Sequence, residues 1–184
     1  MATSGSEKPV IVAGIDDSDF SKYALEWILD HLLSPALNSI FKLVLVYAKP
    51  SAFSKIGFVG PGATDLFPVV EADLKRTAAR ITDHAKEQCM EKSVKDVAME
   101  VVEGDPRNVL CEAVERHHAS MLVVGSHGYG ALKRYILIPD IALQWYSSRV
   151  KKLLMGAVLG SVSDYCAHHA HCTVIIVKKP KAKH

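Results

Sequence analysis

Short runs of apolar, mostly β-branched residues recur along this chain with stretches of helical period between them. That alternation restricts the fold more than any other feature. Pro9-Val-Ile-Val-Ala-Gly-Ile15, Lys42-Leu-Val-Leu-Val-Tyr-Ala48 and Met121-Leu-Val-Val-Gly125 are short and apolar without alternation, the pattern of strands buried on both faces, and Thr173-Val-Ile-Ile-Val-Lys178 is the last strand, an apolar edge. Residues 97–103 alternate, as a half-buried strand does. Between these runs, Ala24, Trp27, Ile28, His31 and Leu32 share one helical face, as do Leu74, Ala78, Ile81, Ala85 and Cys89, and so do Val109, Leu110, Ala113, Val114 and His117. One long helix is expected over 69–90 and a last one over 160–171. Asp16-Asp17-Ser18 offers N-caps for the first helix, and Gly104-Asp105-Pro106 an N-cap followed by proline at the first helical position. Residues 51–68, with Gly57, Gly60-Pro61-Gly62 and Pro68, read as a long loop. Strand and helix alternate throughout, so the class is α/β: a five-stranded parallel sheet with helices on both faces, a three-layer sandwich.

Composition narrows the partners. With 184 residues, 49% of them apolar, and a net charge of +2, the bulk is a folded domain and not a disordered chain. No window reaches the ~18 apolar residues that a membrane span needs, so no membrane association is expected. Residues 1–8 lack an apolar core segment and are expected as a flexible start without a secretory signal. Cys89, Cys111, Cys166 and Cys172 form no CxxC pair and are expected as reduced thiols of an intracellular, cytoplasmic protein. Four of the 22 basic residues, Lys178, Lys179, Lys181 and Lys183, crowd the end. Without them, 18 basic against 20 acidic residues leave −2. The tail 179–184 is expected as a solvated end, with a nuclear address as the alternative, and nucleic acid is not the expected partner.

Open α/β sheets bind ligands at the carboxyl ends of their strands, where the strand order reverses. With the first strand central and the fourth beside it, two loops meet there: Asp16-Asp17-Ser18 and Gly125-Ser-His-Gly-Tyr-Gly130. Three glycines in six residues let backbone N–H groups approach an anion, although glycines also serve ordinary turns. Neither a P-loop nor the dinucleotide fingerprint is present. Gly160-Ser161-Val162-Ser163-Asp164 opens a helix whose N-terminus suits phosphate, with N-capping as the plainer role of its serines.

These segments together resemble the universal stress protein family. Val12-Ala-Gly-Ile-Asp16-Asp-Ser18 with Ser21 is similar to the family's opening. Gly125-Ser-His-Gly128 and Gly160-Ser161 are similar to its ATP-binding signature, and Gly104-Asp-Pro106 and Cys172-Thr-Val-Ile-Ile-Val177 also match. The resemblance spans nearly the whole of 9–178 and in style is nearest the small plant single-domain members. It implies a Rossmann-like sheet of order 3-2-1-4-5, of the adenine nucleotide alpha hydrolase type. It implies ATP or AMP, with Mg2+ as a companion, bound by Asp16, Asp17, Ser18, Ala48, Gly125, His127, Gly128, Gly160, Ser161, Val162 and Ser163. It also implies a homodimer through the last strand, 173–177.

Two departures stand out. Asp17 occupies a position where the family usually has glycine, which puts a second carboxylate beside a polyanion unless it turns away. Between Gly128 and Gly160 lie 31 residues where the family signature has nine, and removing 135–156 restores that spacing. This 22-residue segment has helical spacing at Leu143, Tyr146, Val150 and Leu153. Its readings are a lid, a docking helix or a tolerated insertion.

Histidines and cysteines near the end, Cys166, His168, His169, His171 and Cys172, match no metal-site spacing and are expected to be structural. No nucleophile–base arrangement is legible, so binding is expected and not catalysis. The expected role is an adenine-nucleotide-binding regulatory or chaperone-like protein of the stress response. The alternatives are a slow Mg-dependent ATPase, or an interaction module whose phosphate cradle 135–156 disrupts.

Overall fold

A computed structural model describes residues 8–34, 40–56, 66–126 and 162–180. The chain alternates strand and helix: β1 (Val10–Gly14), α1 (Asp19–His31), β2 (Lys42–Lys49), α2 (Ala52–Ile56), α3 (Phe67–Glu91), β3 (Val97–Glu103), α4 (Pro106–Arg116), β4 (Met121–Gly125), α5 (Val162–His169) and β5 (Thr173–Val177). The strands form one sheet in the order β3-β2-β1-β4-β5, with every neighbouring pair parallel. This is the expected fold, and residues 135–156 lie outside the described part.

The continuous apolar runs have the predicted cause. Alternate side chains of the central strands β1, β2 and β4 enter opposite cores, so their middle positions are apolar, whereas the edge strands β3 and β5 are partly exposed. Ile11, Ala13, Leu43, Leu45 and Val123 pack with Ala24, Leu25 and Ile28 of α1 and with Ala78, Ile81 and Ala85 of α3. Val12, Val44, Val46, Leu122 and Val124 face the other way, against Val109, Leu110, Ala113 and Val114 of α4 and Cys166 of α5. Ile11, Leu43, Val44, Leu45, Leu122 and Val123 have no exposed surface.

Ion pairs mark where α3 lies. Glu71 meets Lys49 of β2 at 3.0 Å, Arg80 meets Asp17 ahead of α1, and Lys92, just past the end of α3, meets Asp30 near the end of α1 at 2.7 Å. The helices α1 and α3 therefore run in the same direction, side by side.

Several expectations are corrected. The interval 51–68 is not loop throughout: Ser51 caps α2, its hydroxyl accepting from the Ser54 N–H at 3.1 Å, and α3 begins at Phe67 with Pro68 in its first turn. The buried face of α1 is Ser21, Ala24, Leu25, Ile28 and Leu29. Trp27 and Leu32 are half-buried against the edge of the core and His31 is exposed, with the rings of Trp27 and His31 stacked at 4.8 Å. His117 is likewise only half-buried, its Nε2 lying 2.6 Å from Glu100 Oε1. The last helix covers only 162–169 of the described residues.

All four cysteines are free; Cys89 and Cys166 are buried, Cys111 and Cys172 half-buried. Burial pushes the Cys89 thiol up to about 11 and the Cys166 thiol to about 12. Among the described residues, no helix is long and apolar enough to cross a membrane, and no cluster of three or more His, Cys, Asp or Glu is arranged to hold a metal.

Candidate functional site

The order β2-β1-β4 means that the chain leaves β1 for one side of the sheet and returns to the other, which opens a crevice at the carboxyl ends of these strands. A cavity of about 470 Å³ occupies it, within the range of small-molecule sites. Among the described residues, its apolar walls come from Ile15, Val46, Ala48, Pro50, Pro106, Leu110, Val124 and Val162. Its polar lining comes from Asp16, Ser18, Ser21, Ser51, Ser54, Asp105 and Ser163.

The β1–α1 corner is built by three short-range bonds. The Ser18 N–H donates to Asp16 Oδ1 at 2.8 Å, the Ser21 N–H donates to Ser18 Oγ at 3.1 Å, and the Asp16 N–H donates to Ser21 Oγ at 2.8 Å. Ser18 is thus the N-cap of α1, with extended backbone angles. Asp16 spends one carboxylate oxygen on the turn and borders the cavity.

Asp17 faces elsewhere. Its carboxylate receives two hydrogen bonds from the Arg80 guanidinium, at 2.9 and 2.8 Å, and lies 3.6 Å from Lys22 Nζ. It borders a narrow cleft between α1 and α3 and not the large cavity. The hydrogen bonds from Arg80 hold its carboxyl below the usual carboxylate range, against a modest opposing effect of burial.

Opposite stands the β3–α4 corner. Asp105 caps α4 by accepting from the Arg107 N–H at 2.9 Å, and the same carboxylate takes Arg107 Nε at 3.0 Å and Nη2 at 2.6 Å. The side-chain bonds from Arg107, more than its backbone, hold the Asp105 carboxyl low. Arg107 itself lies over the Tyr165 ring of α5 at 5.6 Å. With Asp105 neutralised in this way, Asp16 is the carboxylate of the described lining without a cation on it.

Of the residues proposed from sequence, Asp16, Ser18, Ala48, Gly125, Val162 and Ser163 line the one cavity, and Asp17 is turned away from it. His127, Gly128, Gly160 and Ser161 lie outside the described residues. Gly125 has a structural reason of its own. A Cβ there would sit 2.7 Å from the Phe20 carbonyl oxygen and 2.8 Å from its carbon, so the first turn of α1 rests directly on this backbone. Sequence reasoning did not assign Ser51, Ser54, Gly104 or Asp105 to the site. The signal for the last two was available, because Gly104-Asp105 follows the carboxyl end of a strand in the same crevice. Arg80 carried no local signal at all.

The universal stress protein family model matches residues 9–142 and 147–178. Universal stress protein PHOS34 of Arabidopsis thaliana is 30% identical over 192 residues, covering 97% of this chain. The chain spans 64% of that relative's length. A universal stress protein family protein from Arabidopsis thaliana, solved with AMP bound, is 22% identical. It superposes with a TM-score of 0.60, over 94% of this chain and 92% of that one. A universal stress protein solved in complex with cAMP is also 22% identical, with a TM-score of 0.58 over 92% and 96% of the two chains. The family model matches most of the chain, and the chain belongs to the universal stress protein family.

Proposed function

We propose that this chain is an adenine-nucleotide-binding regulatory protein of the stress response, and that the cavity at the carboxyl ends of β1, β2 and β4 is its site. The observation that carries this reading is the convergence of Asp16, Ala48, Gly125, Val162 and Ser163 on that cavity. Two structural neighbours that hold AMP and cAMP support it.

The donor set fits such a ligand. Apolar walls at Val46, Ala48, Pro50 and Leu110 suit the faces of a purine. The second oxygen of Asp16 can accept from a ribose hydroxyl or an exocyclic amine. The start of α5, at Val162 and Ser163, presents the positive end of a helix dipole to an anion. These groups bind and orient a nucleotide, and the reading requires no chemical step. Pairing of two copies through β5 belongs to the same reading, supported by its position at the sheet edge with Ile176 39% exposed.

Titration calorimetry of the full chain with AMP, cAMP and ATP, the last with and without Mg2+, tests the site. Saturable, mutually competitive binding that is weakened at least tenfold by Asp16→Ala is expected, with no release of phosphate from ATP. Absence of binding to all three overturns the reading. Phosphate release that is lost in Asp16→Ala would make the protein an ATPase. Deleting 135–156 separates the remaining alternative, since binding that appears only in the deletion marks that segment as an obstruction.

A further inference from the structure

The corner between β1 and α1 carries two adjacent carboxylates, yet only one borders the large cavity. Asp16 lines it, whereas Asp17 lies in the cleft between α1 and α3 with Lys22, Arg80 and His84. Arg80 takes both oxygens of Asp17 in a fork at 2.9 and 2.8 Å, and Lys22 stands 3.6 Å away. A guanidinium fixes a carboxylate's direction as well as its charge, because two parallel bonds leave it no rotation. The rest of the corner is rigid: the backbone on either side of Asp17 is tied by the bonds among Asp16, Ser18 and Ser21. The Asp17 side chain takes no part in these bonds, and the Arg80 fork, with Lys22 beside it, directs it toward α3.

We propose that Arg80 is a positioning residue for the nucleotide cavity: by holding Asp17 against α3, it lets the corner offer a phosphate-bearing ligand one carboxylate instead of two. The inference rests on the nucleotide reading above and deepens it, since it concerns which charge class of ligand the site accepts. Without Arg80 the fork that fixes its direction is lost, while Lys22 stays 3.6 Å away, and the Asp17 charge, one residue from the cavity wall, opposes an anion there more strongly. A neutral nucleoside is indifferent to that charge. Arg80 thereby favours nucleotides over nucleosides without touching either.

The test compares adenosine with AMP. Dissociation constants are measured for the full chain, Arg80→Ala, Arg80→Gln, Asp17→Asn and the double variant Asp17→Asn/Arg80→Ala. Both Arg80 variants are expected to weaken AMP about three- to tenfold at low salt and adenosine less than about twofold. The double variant is expected to restore AMP to near the wild-type value, and the single-variant effect is expected to shrink at ~0.5 M salt. A merely structural role for Arg80 would weaken both ligands equally and would not be rescued by Asp17→Asn. An unchanged AMP-to-adenosine ratio in both Arg80 variants, or failure of the rescue, overturns the inference and leaves the nucleotide reading standing. A wild-type chain that binds neither ligand overturns the reading, and the inference with it.

Discussion

Two helix entrances face each other across the cavity, and they solve the same problem differently. At the β3–α4 corner, Asp105 does everything: it caps the helix, and Arg107, two residues on, binds both of its oxygens. At the β1–α1 corner the work is divided. Asp16 makes the turn, Ser18 makes the cap, and Asp17 reaches across to Arg80 on α3, 63 residues away. The difference decides which corner can serve a ligand. A carboxylate that caps and pairs at once has both oxygens engaged and its charge matched, whereas dividing the tasks leaves Asp16 an oxygen at the cavity wall. The divided corner is also the one whose behaviour depends on distant sequence.

The largest expected effect is on the seat of the divided corner. Gly125→Ala drives a methyl group into the Phe20 backbone, which cannot yield as a side-chain tip could. A loss of about 2–3 kcal/mol in urea unfolding is expected, with α1 displaced. An unchanged midpoint would mean that this corner does not rest on β4. Next comes the contrast between the caps. Asp105→Ala is expected to cost about 1–2 kcal/mol, because cap and ion pair go together, and Ser18→Ala about 0.5–1 kcal/mol. Equal losses would break the distinction between concentrated and divided corners.

Acid should sharpen the contrast further. The Asp105 carboxyl is held below its ordinary 3.8 by Arg107. Its contribution is therefore complete above about pH 4 and disappears as pH falls through the lower folded value. Wild type is expected to exceed Asp105→Asn in stability at neutral pH, and the two urea midpoints to converge toward pH 2–3. A constant gap would show that charge is irrelevant to that corner. The smallest effect on stability is expected from Arg80→Ala, under about 1 kcal/mol, because the pair it breaks is largely exposed. A loss as large as that of Gly125→Ala would make Arg80 a structural residue first.

Much of this molecule can be read from the chain without coordinates. The strands are legible because a parallel strand covered on both faces has no room for polar residues, and the inward stripe of α3, from Leu74 to Cys89, is legible because it keeps one period for four turns. The cap at Asp105 is legible because proline follows it. Other features fail for physical reasons. Trp27 looks like a core residue, but an amphipathic ring is equally well satisfied on the rim by stacking on His31. The helix α2 hides in a glycine- and proline-rich interval because its one signal, Ser51, is a single hydroxyl. Within the site, Asp16, Ala48 and Gly125 stand at strand ends, where topology alone concentrates them. Arg80 was invisible because nothing local distinguishes an arginine that faces solvent from one that reaches another element's carboxylate.

The ion pairs of α3 have a consequence for how the chain tolerates change in length. Glu71, Arg80 and Lys92 act as graduations on a rule, each matched to a mark on β2, on the loop before α1 or on the far end of α1. One residue added between Arg80 and Lys92 would advance Lys92 by about 1.5 Å and swing it by about 100° relative to Arg80, out of line with Asp30. The spacing of 80 to 92 against 17 to 30 is thus a fixed dimension of the molecule.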